Sequence, residues 1–261
     1  IKKMTKTKGE ILIFLKKNNF NVPKTILFSV NQLKENKINC IKYIQKNIKK
    51  KLAIRSSAFN EDTKLSSNAG KYTSVLNIDV KNQSKIYEAI KKVRSSYDNQ
   101  SNKNQIIFQE MVSDVKFSGV LTNVDLKNYS PHIKINYTYK IDTSLITSGK
   151  EKGTTISYFA NSKYKPKDKV ISNLISLQKK LKAILKIKYL DVEFAVNKKN
   201  KIIILQARRI VIPKRVKLKK FNNLSRSYKN LEKKIIKLQN KHYDLKGDKN
   251  FFGVMPDWNP A

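Results

Sequence analysis

A single cysteine, Cys40, among 261 residues rules out an internal disulfide framework and points to a reducing compartment. Placed between Asn39 and Ile41, it reads as ordinary packing rather than a catalytic thiol. No apolar run approaches the roughly 20 residues that cross a bilayer, and the start lacks the uninterrupted apolar stretch of a secretory signal. A cytoplasmic protein with no membrane partner is the expectation. No internal repeat is visible. Acidic residues are scarce: 19 Asp and Glu stand against 56 Lys and Arg, a net charge of +37, a balance that ordinarily points to nucleic acid or another polyanion. The lysines, however, are spread over nearly every segment in the company of Asn and Ile, which fits compositional drift, whereas a binding stripe would be local. Polyanion binding is therefore kept as the least favoured of three readings.

The length suffices for one large domain or two small ones with a core well past the marginal size. Alternating helical and strand patterns argue for a mixed α and β architecture. Ile11, Leu12 and Leu15 recur at helical spacing, Pro23 ends that segment, and TILFS begins a strand. Residues 32–50 read as one amphipathic helix through Leu33, Ile41, Ile44 and Ile48, and 51–56 as a buried strand ending at an arginine. Residues 72–80 read as a strand and 84–97 as a helix. Strand-rich stretches follow at 105–112, 119–125, 132–139 and 154–160, then a helix at 168–185 and a hairpin formed by LDVEFAV and KIIILQARRI across a turn at 197–200.

Two places carry chemistry. The apolar strand before Arg55 delivers a guanidinium into the hydroxyls and carboxylates of LAIRSSAFNEDTKLSSNAGKYTSVLNI and then a glycine turn, which suits a phosphate-gripping surface. In the hairpin, alternation puts Asp191, Glu193 and Ala195 on one face and gives Gln206 and Arg208 a shared face. If the strands pair, a carboxylate, an amide oxygen and a guanidinium converge, as a magnesium triphosphate requires. The plainer reading is a surface ion pair of Glu193 with Arg208.

These blocks, with TKTKGEIL and IIFQEMV, occur in order over about residues 5–212. They resemble the nucleotide-binding domain of the pyruvate phosphate dikinase and phosphoenolpyruvate synthase family. The resemblance implies an α+β ATP-grasp fold, two lobes with the nucleotide between them and a helical C-terminal tail. The lobes would be residues 1–104 and 105–212, followed at 213–261 by a basic linker, a helix and the start of another domain. Because the chain opens on Ile1 and stops after PDWNP, both ends read as cut from something longer.

The resemblance further implies ATP and Mg2+ as cofactors and phosphoryl donation as the activity. Lys8 would reach the phosphates, although Lys6 and Thr7 stand where the family has glycines. Arg55 is the arginine of the RSS motif, Gly70 the glycine of the AG turn, and Ser74 the following hydroxyl. Gln109 would line the nucleotide with 110–112 against adenine, Met111 fitting either that contact or core. Glu193 and Gln206 would hold the metal-bound phosphates, and Arg208 would neutralise the transferring group.

Glu61 and Asp62 match an acidic pair and read as ordering the loop. Thr122 and Asn123 replace an aromatic and a hydroxyl residue, and ITSGK, with Ser148 and Gly149, replaces a glycine-rich loop. Neither His132 nor His242 lies in a phosphohistidine context, so a phosphohistidine domain outside this chain would carry the group to an unidentified acceptor. The alternative is a noncatalytic nucleotide-sensing or scaffolding module on the same fold.

Overall fold

The computed structural model describes residues 7–58, 73–97, 101, 103–139, 153–160, 166–212 and 226–234. Gly70, Glu61, Asp62, Ser148, Gly149, His242 and the segment 251–261 lie outside the described residues. The chain divides into two compact units, residues 1–213 and 214–261. In the second, residues 226–234 form an exposed helical stretch within the span expected to be helical.

The first unit is built on two antiparallel sheets, the two-lobed α+β organisation that the resemblance implies. Its first helix, α1 (Lys8–Lys17), starts at a capping box: the Thr7 hydroxyl accepts from the Glu10 N–H while the Glu10 carboxylate accepts from the Thr7 N–H. One side of α1 presses Gly9 against the first sheet so closely that a Cβ there would lie 2.3 Å from the end of Leu27. Its other residues, Ile11, Leu12 and Leu15, are buried in the core of the second sheet. The helix thus belongs to both lobes.

The first sheet contains β1 (Thr25–Ser29), β2 (Leu52–Ser57), β3 (Ser74–Ile78) and β4 (Gln105–Glu110) in the order β1-β4-β2-β3. Helices α2 (Val30–Glu35), α3 (Lys37–Asn47) and α4 (Gln83–Ser95) cover one face, where Leu33, Ile41, Ile44, Ile86, Ile90 and Val93 meet Leu52, Ile54, Ile106 and Phe108. By alternation Ala53, Arg55 and Ser57 face away from those helices. The single helix expected at 32–50 is two. Asn36, at φ −131° and ψ 41°, leaves helical geometry between them, its backbone N–H bonding the Gln32 carbonyl to close α2.

The second sheet contains β5 (Val115–Thr122), β6 (His132–Thr138), β7 (Thr154–Phe159), β8 (Leu190–Asn197) and β9 (Ile202–Arg209) in the order β7-β6-β5-β8-β9. Helix α5 (Lys169–Leu185) is capped by Asp168, which accepts from the Val170 and Ile171 N–H groups. Its Leu174, Leu181 and Leu185 pack on Phe117, Leu121, Ile135, Val192 and Phe194. The β5 strand begins four residues before the expected Gly119. Gly119 sits inside it, where a Cβ would come within 2.1 Å of the Asn136 carbonyl oxygen, so the close approach of β6 requires a glycine there. Strand β4, just past residue 104, hydrogen-bonds wholly within the first sheet.

At the β5 exit, Asn123 donates to the Lys188 carbonyl and accepts from the Leu190 N–H, tying the end of β5 to the start of β8. Thr122 donates to the Val124 carbonyl. Thr122 and Asn123, which depart from the family pattern, therefore carry local structure. Nearby, Asp125 pairs with Lys134 at 2.6 Å and accepts from the Lys127 N–H. Burial works to raise the Asp125 carboxyl, but the Lys134 and Lys127 hydrogen bonds and the Lys134 charge outweigh it and hold the carboxyl below its ordinary value. His132 shares a 2.7 Å hydrogen bond with the Ser130 hydroxyl and meets the edge of Phe159, a structural setting.

A carboxylate with a lowered folded value adds stability above the unfolded value and loses it as pH falls through the folded one. Asp125→Asn is expected to cost about 1.5–3 kcal/mol at neutral pH, the worth of hydrogen bonds to a charged group. Urea unfolding of both proteins from pH 7 downward checks this, and the gap should begin to narrow at about pH 4, where the unfolded carboxyl protonates, and be lost only as pH falls through the lower folded value.

Candidate functional site

Arg55 is, among the described residues, the one buried cation, 8% exposed in a chain otherwise covered with solvated lysines. It stands in β2 between Ile107 of β4 and Ser74 of β3, on the face turned away from the helices. Its Nη1 donates to Glu193 Oε2 at 2.8 Å. Glu193 lies in β8 of the other sheet, so two charged side chains 138 positions apart in sequence meet between the lobes.

The hairpin supplies the rest. Register pairs Asp191 with Arg208 and Glu193 with Gln206, so the four share one face of the β8–β9 ribbon. Arg208 donates from Nε to Asp191 Oδ2 at 2.8 Å and also from Nη2. The expected alternative pairing of Glu193 with Arg208 is thereby corrected: Asp191 sits opposite Arg208 and takes it, and Glu193 reaches across to Arg55. Asp191 was legible in the alternation that singled out Glu193, but it was not counted among the site residues. Burial pushes its carboxyl up, the Arg208 guanidinium pulls it back, Glu193 adds to the rise, and the nearby Lys8 charge lowers it. Lys8, at the first turn of α1, therefore lies within electrostatic range of the same cluster.

A cavity of about 290 Å³ adjoins this cluster. Ala53 and Arg55 of β2, Gln109 of β4, Met111, Ala195 of β8 and Leu205 of β9 line it. The two alanines face it from opposite sheets, and their small side chains leave the room. Gln109, 2% exposed, donates from Nε2 to the Leu205 carbonyl at 3.1 Å and so ties the sheets at this cavity. Leu205 is the extra residue of a register shift in β9, between the pairs Glu193–Gln206 and Phe194–Ile204. Met111 lines the cavity, and its N–H is engaged by the Lys51 carbonyl at 2.8 Å. A larger hollow of about 540 Å³ lies among Leu33, Lys37, Tyr87 and Arg94, away from the converging charges.

The described site residues thus gather as follows. Arg55, Glu193, Gln206 and Arg208 form one polar group, Lys8 is within range of it, and Gln109 lines the adjoining cavity. Ser74 pairs with Arg55 across β3 but is exposed. For a divalent cation, Asp191 Oδ1 is a buried oxygen with no hydrogen-bond partner among the described residues, next to the Glu193 carboxylate and the Gln206 amide. Among the described residues no cluster of three or more His, Cys, Asp or Glu could hold a metal by itself. One or two carboxylates that leave the remaining coordination to phosphate and water suit Mg2+.

The fold and this cleft define the class, a two-lobed α+β protein whose sheets meet around a charged cluster and a small cavity. Residues 26–146 match the family model described as pyruvate phosphate dikinase, AMP/ATP-binding domain, so the family resemblance read from the sequence holds over that span. No sequence among the curated proteins matches this one. Similar solved structures include a Pyrococcus horikoshii Ot3 protein, 15% identical with a TM-score of 0.49, covering 80% of this chain and 92% of that one. L-amino acid ligase from Bacillus licheniformis is 14% identical with a TM-score of 0.48, covering 79% of this chain and 43% of that one. D-alanine–D-alanine ligase from Bacillus anthracis is 11% identical with a TM-score of 0.46, covering 88% and 65%. The chain thus spans less than two thirds of either ligase. Among the described residues no helix is long and apolar enough to cross a membrane.

Arg208→Met is expected to leave the Asp191 carboxylate buried without its bonded partner and to destabilise the protein by about 3–5 kcal/mol. Adding Asp191→Asn should recover most of that loss. Denaturant unfolding of the two single variants and the double variant measures it; strictly additive losses would mean that the pair is not coupled.

Proposed function

We propose that this chain binds magnesium ATP in the cleft between its two sheets and donates a phosphoryl group from it. The observation that carries the reading is the meeting of Arg55 with the Glu193–Arg208 ribbon beside a cavity flanked by Ala53 and Ala195. The adenine would occupy the cavity, against Met111 and the segment 110–112, with Gln109 at its wall. Lys8, Arg55, Gly70 and Ser74 would contact phosphates, Glu193 and Gln206 would hold the cation, and Arg208 would stabilise charge on the transferring group. Asp191 Oδ1 would add a further oxygen to the cation's surroundings.

Phosphoryl transfer asks the protein for positioning and charge stabilisation rather than covalent chemistry. Guanidiniums suit that role because they stay charged when buried and present a fixed fork of donors to phosphate oxygens. Bound Mg2+ would supply charge neutralisation of the phosphates. In this reading the two sheets supply the lobes, with residues 105–110 completing the first rather than opening the second as the 104/105 boundary had it, and the protein works in the cytoplasm. The acceptor would be reached through a phosphohistidine domain outside this chain.

Thermal denaturation with and without magnesium ATP tests binding. At a hundredfold excess over Kd the gain is about 2.7 kcal/mol. For a domain of this size that is an upward shift of roughly 5–10 °C in Tm. Arg55→Ala should abolish the shift, and Glu193→Ala should abolish the part of it that depends on Mg2+. Equal shifts with unrelated polyanions, lost with salt and indifferent to both substitutions, would instead support the polyanion reading. Binding without any phosphoryl transfer to a supplied phosphohistidine domain would support a nucleotide sensor.

A further inference from the structure

Arg55 and Glu193 have two claims upon them. In the proposed reading Arg55 serves phosphate and Glu193 serves a divalent cation, yet they hold each other at 2.8 Å with both side chains largely out of water. Each is the other's compensation. A nucleotide that takes Arg55 alone leaves the Glu193 carboxylate desolvated without a partner, and a cation that takes Glu193 alone leaves the Arg55 guanidinium in that position. Within the ribbon, Asp191 and Gln206 bring no positive charge to Glu193. Asp191 Oδ2 is held by Arg208, and the Arg55 Nε is itself buried without a hydrogen-bond partner among the described residues.

Resting on the proposed function, we propose that the Arg55–Glu193 ion pair is an exchangeable latch between the two sheets. It makes nucleotide and divalent-cation binding at this site mutually dependent, each ligand freeing the residue that the other needs. When both arrive, phosphate replaces Glu193 on Arg55 and the cation replaces Arg55 on Glu193, and no buried charge is left unpaired. The coupling is reciprocal, because ATP must raise cation affinity by the factor by which the cation raises ATP affinity. The Gln109–Leu205 hydrogen bond involves neither charged group, so it can keep the sheets joined while the latch exchanges.

The distinguishing variant is Glu193→Gln, which removes the charge holding Arg55 while keeping the side-chain shape. Isothermal titration of the full chain with ATP in EDTA, and with ATP in excess MgCl2, measures four affinities in wild type and variant. Wild type should bind metal-free ATP at least about tenfold more weakly than magnesium ATP, within the usual range of coupling between sites. Glu193→Gln should bind metal-free ATP about three- to tenfold more tightly than wild type, and its gain from MgCl2 should shrink to less than about twofold.

Metal-free affinity in the variant equal to or below that of wild type, with magnesium ATP still bound by wild type, overturns the latch and leaves the proposed function standing. No ATP binding by wild type in either condition overturns both. Should Glu193→Gln fail to fold by circular dichroism, Glu193→Asp retains the charge but shortens the reach. It is expected to shift metal-free affinity in the same direction by a smaller factor, and no gain there overturns the latch as well.

Discussion

A guanidinium carried on a buried central strand needs a counter-charge or a ligand, and that need organises this protein. Strand β2 is buried along its whole length, with helices behind Leu52 and Ile54, so Arg55 on the opposite face has nowhere to extend but toward the second sheet. Glu193 answers from there at 2.8 Å. Desolvating two ions is costly, and replacing such a pair by apolar residues is often neutral or stabilising in other proteins. Stability alone is therefore a poor reason to keep charges at this position. A site that must grip anionic oxygens and a cation gives a better one.

The surrounding lysines make the same point by contrast. With 56 Lys and Arg in the sequence, charge is everywhere, yet the buried cation among the described residues is an arginine. Lysines can remain in solvent at the ends of flexible stems, whereas a guanidinium fixed by a strand presents a planar set of donors at a defined place. The excess positive charge sets the field in which an anion approaches, and the cleft determines what a bound anion meets.

Much of this was legible in the sequence because strand alternation is local. The period of two along β8 put Asp191 and Glu193 on one face before any partner was known, and the Asn197–Asn200 turn made pairing with β9 the economical arrangement. What stayed hidden depended on non-local geometry. Nothing near Glu193 in the sequence says that Arg55, rather than Arg208, will reach it. That choice follows from the β8–β9 register, which sets Asp191 opposite Arg208. The double role of α1 was equally invisible, since Gly9 against Leu27 and Leu12 in the other core require both sheets to be in place. The break at Asn36 was missed for a different reason: apolar spacing continued across it, and a periodic pattern does not register one backbone rotation.

The β9 register shift shows how a small irregularity joins these layers. An uninterrupted ladder would give β9 the same alternation along its whole length, whereas the extra residue lets Leu205 line the cavity although Gln206 also faces the cleft side beside Glu193. The Leu205 carbonyl then receives the Gln109 amide from the first sheet. The lobes are consequently held by two unlike contacts at one cavity, a neutral buried hydrogen bond and an ion pair. The neutral bond has no charge to be claimed by phosphate or metal, while the ion pair is made of the very groups that those ligands attract. In the proposed reading, a protein that keeps its lobes joined while admitting a charged guest benefits from that division, because the contact that would yield to the guest is separate from one that would stay.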